Sequence, residues 1–357
     1  MYDFKTIHDA YKLITNNTDK LPGFILLYGE EGNAALEVAL SFIKLINCDR
    51  HGDNPCEVCN NCTMITQMTH PDARFVFPNI KSDTDSGYDP SVFLNTIRQN
   101  PFLDCHTWKQ KINCENKQLV ISKDDIQQTI NYMSLQPVMS RYKISVIWLA
   151  EYMNHNAANS LLKILEEPID NTIFIMITNN VYTILPTIIS RAVKIHIPQC
   201  SYDELYLLAH SINPQMNEHE LNILVRSTHG NASMLFSTET HDHWEIFIKW
   251  MRSLYKNDYT GIFNVINELH SLGKENVKSF LIYCSEIFQQ MFYISNNVND
   301  LVYLQNEQLT TVHKLSKMLA NDTIIANQKE LDRVHYEISR NANVKLCLFS
   351  INPFNCK

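Results

Sequence analysis

The run Phe24-Ile25-Leu26-Leu27-Tyr28 is continuously apolar, ends at Gly29, and gives way within a few residues to apolar positions at helical spacing (Leu36, Ala39, Leu40, Ile43, Ile46). A short run with no polar alternation reads as a strand buried on both faces, as strands in the middle of a parallel sheet are. Glycine is scarce, eight in 357 residues, yet Gly23, Gly29 and Gly32 fall within ten positions of one another. The strand therefore turns sharply into the helix. A strand–turn–helix unit of this kind commits the first part of the chain to α/β architecture around a parallel sheet.

Further strands are expected at Arg74-Phe75-Val76-Phe77, at 143–149, at 172–177 and at 193–197, with a helix over 156–165 that Pro168 stops. Between 79 and 118 the alternation fails. There Lys81-Ser82-Asp83-Thr84-Asp85-Ser86-Gly87-Tyr88-Asp89-Pro90 is polar and turn-rich, so an inserted excursion is expected. After Pro198 the strands stop. Asp203-Glu204-Leu205 opens one helix, 218–227 forms another, Gly230-Asn231 breaks the pattern, and long amphipathic helices such as 277–294 follow. The expected organisation is an α/β domain over 1–198, containing a cysteine module at about 47–63 and the insertion at about 79–118. A small helical domain over 199–238 and an all-helical domain over 239–357 complete it.

Charge narrows the function. A formal net charge of −8 argues against a chain that grips nucleic acid alone through a basic face. No apolar run approaches 18 residues, and Met1-Tyr2-Asp3-Phe4-Lys5 lacks the pattern of a signal peptide, so a cytoplasmic chain without membrane contact is expected.

Of ten cysteines, Cys48, Cys56, Cys59 and Cys62 lie within 15 residues, and Cys105, Cys114, Cys200, Cys284, Cys347 and Cys356 are scattered as small apolar residues would be. One cluster in a long chain reads as a metal site rather than a disulfide framework. Four thiolates suit tetrahedral zinc and leave no open position, so such a site is structural. Four cysteines also serve an iron–sulfur cluster, and unmetallated thiols remain a third reading. His51 and His70 lie near enough to substitute, although a full thiolate set needs neither.

Gly29-Glu30-Glu31-Gly32-Asn33-Ala34-Ala35-Leu36 stands where a phosphate-binding loop would stand, between strand and helix. A working loop needs a glycine, a lysine for the β and γ phosphates and a Ser or Thr for Mg²⁺. Those positions hold Ala34, Ala35 and Leu36, and Glu30 and Glu31 sit where phosphates would lie. The acid expected at the end of the strand near 149 is missing too, since Trp148 and Leu149 occupy its positions. Glu151, two residues on, reads as a solvated residue at a helix start. No nucleotide cofactor is expected.

Asn159-Ser160-Leu161-Leu162-Lys163-Ile164-Leu165-Glu166-Glu167-Pro168 resembles the helix shared by bacterial clamp-loader subunits of the AAA+ fold. Leu185-Pro186-Thr187-Ile188-Ile189-Ser190-Arg191-Ala192 is similar to their Ser-Arg-Cys motif, with Ala192 in place of the cysteine, and the four-cysteine insertion follows the first helix as it does there. The resemblance covers about 20–200. It implies a AAA+ P-loop-type sheet domain with a zinc module, a small helical lid and a helical collar that holds a ring together.

Motor members of that family (tau/gamma) keep the phosphate loop, and the delta-prime branch has commonly lost it. The losses here therefore resemble the delta-prime branch of DNA polymerase III. The resemblance implies partners in tau/gamma motor subunits and a delta subunit, with the sliding clamp and primed DNA reached through the complex. It implies that Arg191, supported by Ser190, reaches in trans into a neighbour's ATP site as an arginine finger, and that polymerase activity lies in another subunit. No sensing arginine stands within Gly230-Asn231-Ala232-Ser233-Met234-Leu235, and the 79–118 insertion is longer than the family leads one to expect. Two other readings remain: an autonomous motor ATPase, and a free-standing zinc module that binds nucleic acid.

Overall fold

The computed structural model describes residues 4–15, 21–50, 52–80, 90–114, 118–167, 169–228, 230–236, 243–298, 301–304, 306–340 and 342–351. His51, the polar stretch 81–89, Pro168, the expected boundary at 238–239 and Cys356 lie outside them. The chain divides into two compact units, Met1–Ser237 and Thr238–Lys357.

The first unit is built on five parallel strands: β1 (Phe24–Tyr28), β2 (Ala73–Val76), β5 (Lys143–Ile147), β6 (Thr172–Thr178) and β7 (Val193–His196), in the order β2-β5-β6-β1-β7. β1 and β6 run in register from Phe24 opposite Phe174 to Tyr28 opposite Thr178. Every residue of β5 and β6 is buried, which is why these segments carry apolar side chains on both faces. β7 closes one edge and buries only Ile195 of its four residues.

Helices cover both faces. On one lies α2 (Ala35–Asn47), directly after the β1 turn, with Val38, Ala39, Phe42 and Ile43 packed into the main core together with α1 (Lys5–Thr15). A second core includes Leu26, Phe174 and Met176 from the sheet with Ile126 and Met133 from α6 (Lys123–Met133) and Leu161 and Leu165 from α7 (His155–Glu166). Ser122 starts α6 through a reciprocal capping box with Asp125, and Asn154 caps α7 by accepting from the Ala157 N–H at 2.8 Å.

The insertion carries its own structure. Its ends are joined by a small antiparallel pair, β3 (Asn79–Ile80) with β4 (Leu119–Val120). Between them stand α4 (Pro90–Gln99) and α5 (Cys105–Lys111). Phe93, Phe102 and Trp108 are fully buried, and Phe93 stacks on Phe77 at 4.1 Å between ring centroids. Burying one such ring stabilises by about 1.5–3 kcal/mol. The described part of the insertion, residues 90–114, thus contributes directly to the first unit's core.

Past the sheet, α9 (Tyr202–Ile212) and α10 (Glu218–Ser227) lead into a short 3-10 turn, Ala232–Phe236. Leu205, Leu208, Leu221, Val225 and Leu235 share the main core with the sheet. The second unit is wholly helical where described. Its 22-residue helix Lys274–Ser295 contributes Phe280, Cys284 and Phe288 to a core shared with Trp250 and Leu331. Among the described residues no helix is long and apolar enough to cross a membrane.

Candidate functional site

The turn after β1 is held by the fold itself. The Gly29 N–H donates to the Thr178 carbonyl at 3.3 Å, and a Cβ on Gly29 would lie 2.0 Å from the Ile197 carbonyl oxygen. Gly32 adopts φ +76, a conformation that costs a residue with a side chain about 1–2 kcal/mol. Ala34, Ala35 and Leu36 are buried, and they offer neither a cation nor a hydroxyl. The Asn33 carbonyl Oδ1 accepts the Ala35 N–H at 2.8 Å. A helix-start amide of the kind that binds phosphate in working loops is thereby satisfied from within the chain.

Around this turn the surroundings are acidic. Trp148 and Leu149, at the end of β5, are buried and supply no carboxylate. Glu151 is not the solvated residue expected from its place in the sequence. It is half-buried, and its carboxylate accepts from the Thr178 hydroxyl at 2.8 Å and the Asn179 N–H at 3.2 Å, both at the end of β6. Burial outweighs these bonds and raises its pKa above the usual carboxylate range. Glu31 accepts the Cys105 N–H at 2.8 Å, and burial pushes the Cys105 thiol up to about 12, so that group is unreactive.

The cysteine cluster forms between α2 and α3 (Asn60–Thr66). The Sγ atoms of Cys48, Cys56, Cys59 and Cys62 all lie within 4.8 Å of one another. A tetrahedron with Zn–S bonds near 2.3 Å needs edges of about 3.8 Å, so the thiols stand close to ligating positions. Backbone N–H groups of Cys56, Cys59 and Cys62 point at the sulfurs of Cys48, Cys56 and Cys59 at 3.4, 3.3 and 3.4 Å. Such donors stabilise thiolates. The N–H of Val58 in particular helps draw the Cys56 pKa down to about 6, while burial raises that of Cys62. The cluster can hold a metal ion.

His70 is no ligand. Its Nδ1 accepts the Asp72 N–H at 3.1 Å, which leaves Nε2 to donate to Asn61 Oδ1, also at 3.1 Å. Asn61 in turn donates to the Asn47 carbonyl and to Asp49, so the histidine braces the module from behind. The sequence offered no sign of Asp72 itself, a buried carboxylate that ties β2 to the residues ahead of β5 through the N–H groups of Val138, Met139 and Ser140.

Arg191 follows the short helix α8 (Pro186–Ile189) and is exposed. Its guanidinium pairs with Glu166 at the end of α7 at 2.5 Å and donates to the Thr187 carbonyl. The Ser190 hydroxyl donates to the same carbonyl at 3.1 Å. Loop, cysteine cluster and arginine are held by different elements: the turn between β1 and α2, the stretch from α2 to α3, and the end of α8.

A family model described as DNA polymerase III, delta subunit, matches residues 8–201. The DNA polymerase III subunit delta' of Bacillus subtilis is 32% identical over 182 residues, which cover 50% of this chain and 44% of that protein. Subunit tau of Escherichia coli is 23% identical over 211 residues, 58% of this chain and 27% of that one. The chain spans less than half the length of either relative. Among solved structures, a DNA polymerase III gamma subunit-related protein from Thermotoga maritima has a TM-score of 0.44 at 14% identity and covers 96% of each chain.

Proposed function

Because the chain belongs to the DNA polymerase III delta subunit family, we propose that it is a delta-prime-like clamp-loader subunit that does not hydrolyse ATP. Its partners are tau/gamma motor subunits and a delta subunit, and through them it serves the sliding clamp and primed DNA. The observation that carries this reading is the turn at 29–36. The lysine and hydroxyl positions are buried apolar residues, and Asn33 takes the amide that a phosphate would take. Two carboxylates, Glu31 and Glu151, stand nearby, and the turn at 29–36 carries no lysine to offset their repulsion of a triphosphate.

Zinc in the four-cysteine cluster stiffens the module between α2 and β2, and leaves no open coordination position for chemistry. The catalytic contribution is made elsewhere, by Arg191 reaching a neighbouring subunit's γ-phosphate, with Ser190 supporting the turn that presents it. A guanidinium is suited to this because it stays charged and spreads its donors over a plane.

The test is ATP turnover by a reconstituted loader with clamp and primed DNA, comparing the native chain with Arg191→Ala. Turnover that collapses while the complex still assembles supports the reading. Unchanged turnover, or Mg²⁺-dependent hydrolysis by the pure chain, overturns it.

A further inference from the structure

The insertion returns to the degenerate turn. Residues 100–105, from the end of α4 to the start of α5, contact the turn after β1, the residues beyond β5 and the 3-10 turn at 232–236, and so enclose a cleft beside Gly32. The Cys105 N–H reaches Glu31 of the turn at 2.8 Å, and the Cys105 thiol lies 3.2 Å from the Tyr152 hydroxyl, just beyond β5. Asp104 accepts from Asn231 at 3.4 Å, and Asn100 donates to the Ser233 hydroxyl at 3.3 Å. Phe102 packs between Phe4, 5.6 Å away, and Phe236, 6.0 Å away. The 3-10 turn is pinned to the same place from its own side, because the Ala232 N–H donates to the Gly32 carbonyl at 2.9 Å.

We propose that residues 100–105 are a built-in occupant of the cleft, filling the place of a nucleotide and fastening the 202–236 helices to the sheet. This rests on the reading of the turn at 29–36 as a nucleotide-free remnant. A free ligand bridges two elements only for the fraction of time it is bound, whereas a covalently tethered segment holds them at an effective concentration fixed by the chain. The buried rings of Phe93, Phe102 and Trp108 make the tether rigid. Helices that swing with nucleotide state in a working ATPase would here be locked in one position, independent of ATP and ADP.

Hydrogen exchange on the full chain tests this, read at the Ala232 and Ser233 amides against the 274–295 helix as an internal control. Asp104 also caps α5, accepting the Thr107 N–H at 2.8 Å. The insertion side is therefore weakened with Asp104→Ser, which keeps a cap, and the lid side with Asn231→Ala combined with Ser233→Ala. Exchange at Ala232 at least tenfold faster in both variants, with the 274–295 helix unchanged, is the expected result. Exchange no faster than in the native chain overturns the occupant and leaves the proposed loader role standing. If millimolar Mg·ATP slows exchange in the variants but not in the native chain, the cleft can take nucleotide once loosened. That outcome supports the occupant, as the segment that keeps the native chain nucleotide-free.

Discussion

A Cβ built on Gly32 would lie 1.9 Å from the Asn231 side-chain oxygen, so these two residues, 199 positions apart, cannot both carry ordinary side chains at this contact. Gly32→Ala therefore carries two penalties, a left-handed φ of +76 and a collision. The expected loss is about 3 kcal/mol in denaturant unfolding. Asn231→Ala alone removes the acceptor of the Ser233 N–H and costs about 1 kcal/mol. The double variant recovers the steric share and falls short of the sum by about 1 kcal/mol or more. Additivity within about 0.3 kcal/mol would mean that the turn and Asn231 do not meet in solution.

The metal is expected at one ion per chain, and its removal is expected to act locally. Chelation should expose four further thiols to a thiol reagent and release the residues around Cys48–Cys62, while the helical content of the 238–357 unit is kept. Cobalt exchanged into the site should give the intense charge-transfer absorption of a four-thiolate tetrahedron. An iron–sulfur chromophore in freshly purified protein, or a metal-free chain with unreactive thiols, would contradict this expectation.

What was legible in the sequence was whatever depends on neighbours in the chain. β1, β5 and β6 stand out because both of their faces are buried, and Glu218–Ser227 because its pattern is helical from its Asn217 cap onward. The cysteine cluster was readable because two of its gaps span a single turn. The insertion's helices were hidden. α5 reads Cys-His-Thr-Trp-Lys-Gln-Lys, seven residues with no apolar period, and Trp108 is buried against Phe77, Phe93 and Trp148, with its indole N–H satisfied at 2.8 Å by the carbonyl of Pro78, 30 residues earlier. Glu151 reads as solvated for the same reason, since its partner Thr178 lies 27 residues away at the end of β6.

Asp72 gives the clearest pH dependence. Burial alone would raise its pKa. The N–H groups of Met139, Val138 and Ser140, with the Ser140 hydroxyl, more than offset this and hold it below the usual aspartate range. The unfolded chain then binds the proton more readily, so stability rises with pH through the window below about 4, where a free aspartate titrates. Asp72→Asn should cost about 2 kcal/mol at neutral pH. The gap between the two proteins should stay constant down to about pH 4 and close below it. A gap that closes between pH 7 and 5 would assign the effect to another group.

Arg191 must leave Glu166 to reach a partner, and the cost of leaving is small. Both groups are partly exposed, with side-chain accessibilities of 32% and 51%, and pairs of that kind contribute about 0–1 kcal/mol. Glu166→Gln should therefore change the stability of the isolated chain by less than about 1 kcal/mol. In the reconstituted loader it should sustain ATP turnover at or above the native level, because the guanidinium no longer has a competing carboxylate. Arg191→Ala in the same assay should lower turnover by about 10³-fold, as loss of an arginine finger does. Equal loss in both variants would show that the pair works as a structural brace at the end of α7. A loss confined to Arg191→Ala would show that the guanidinium itself acts across the interface.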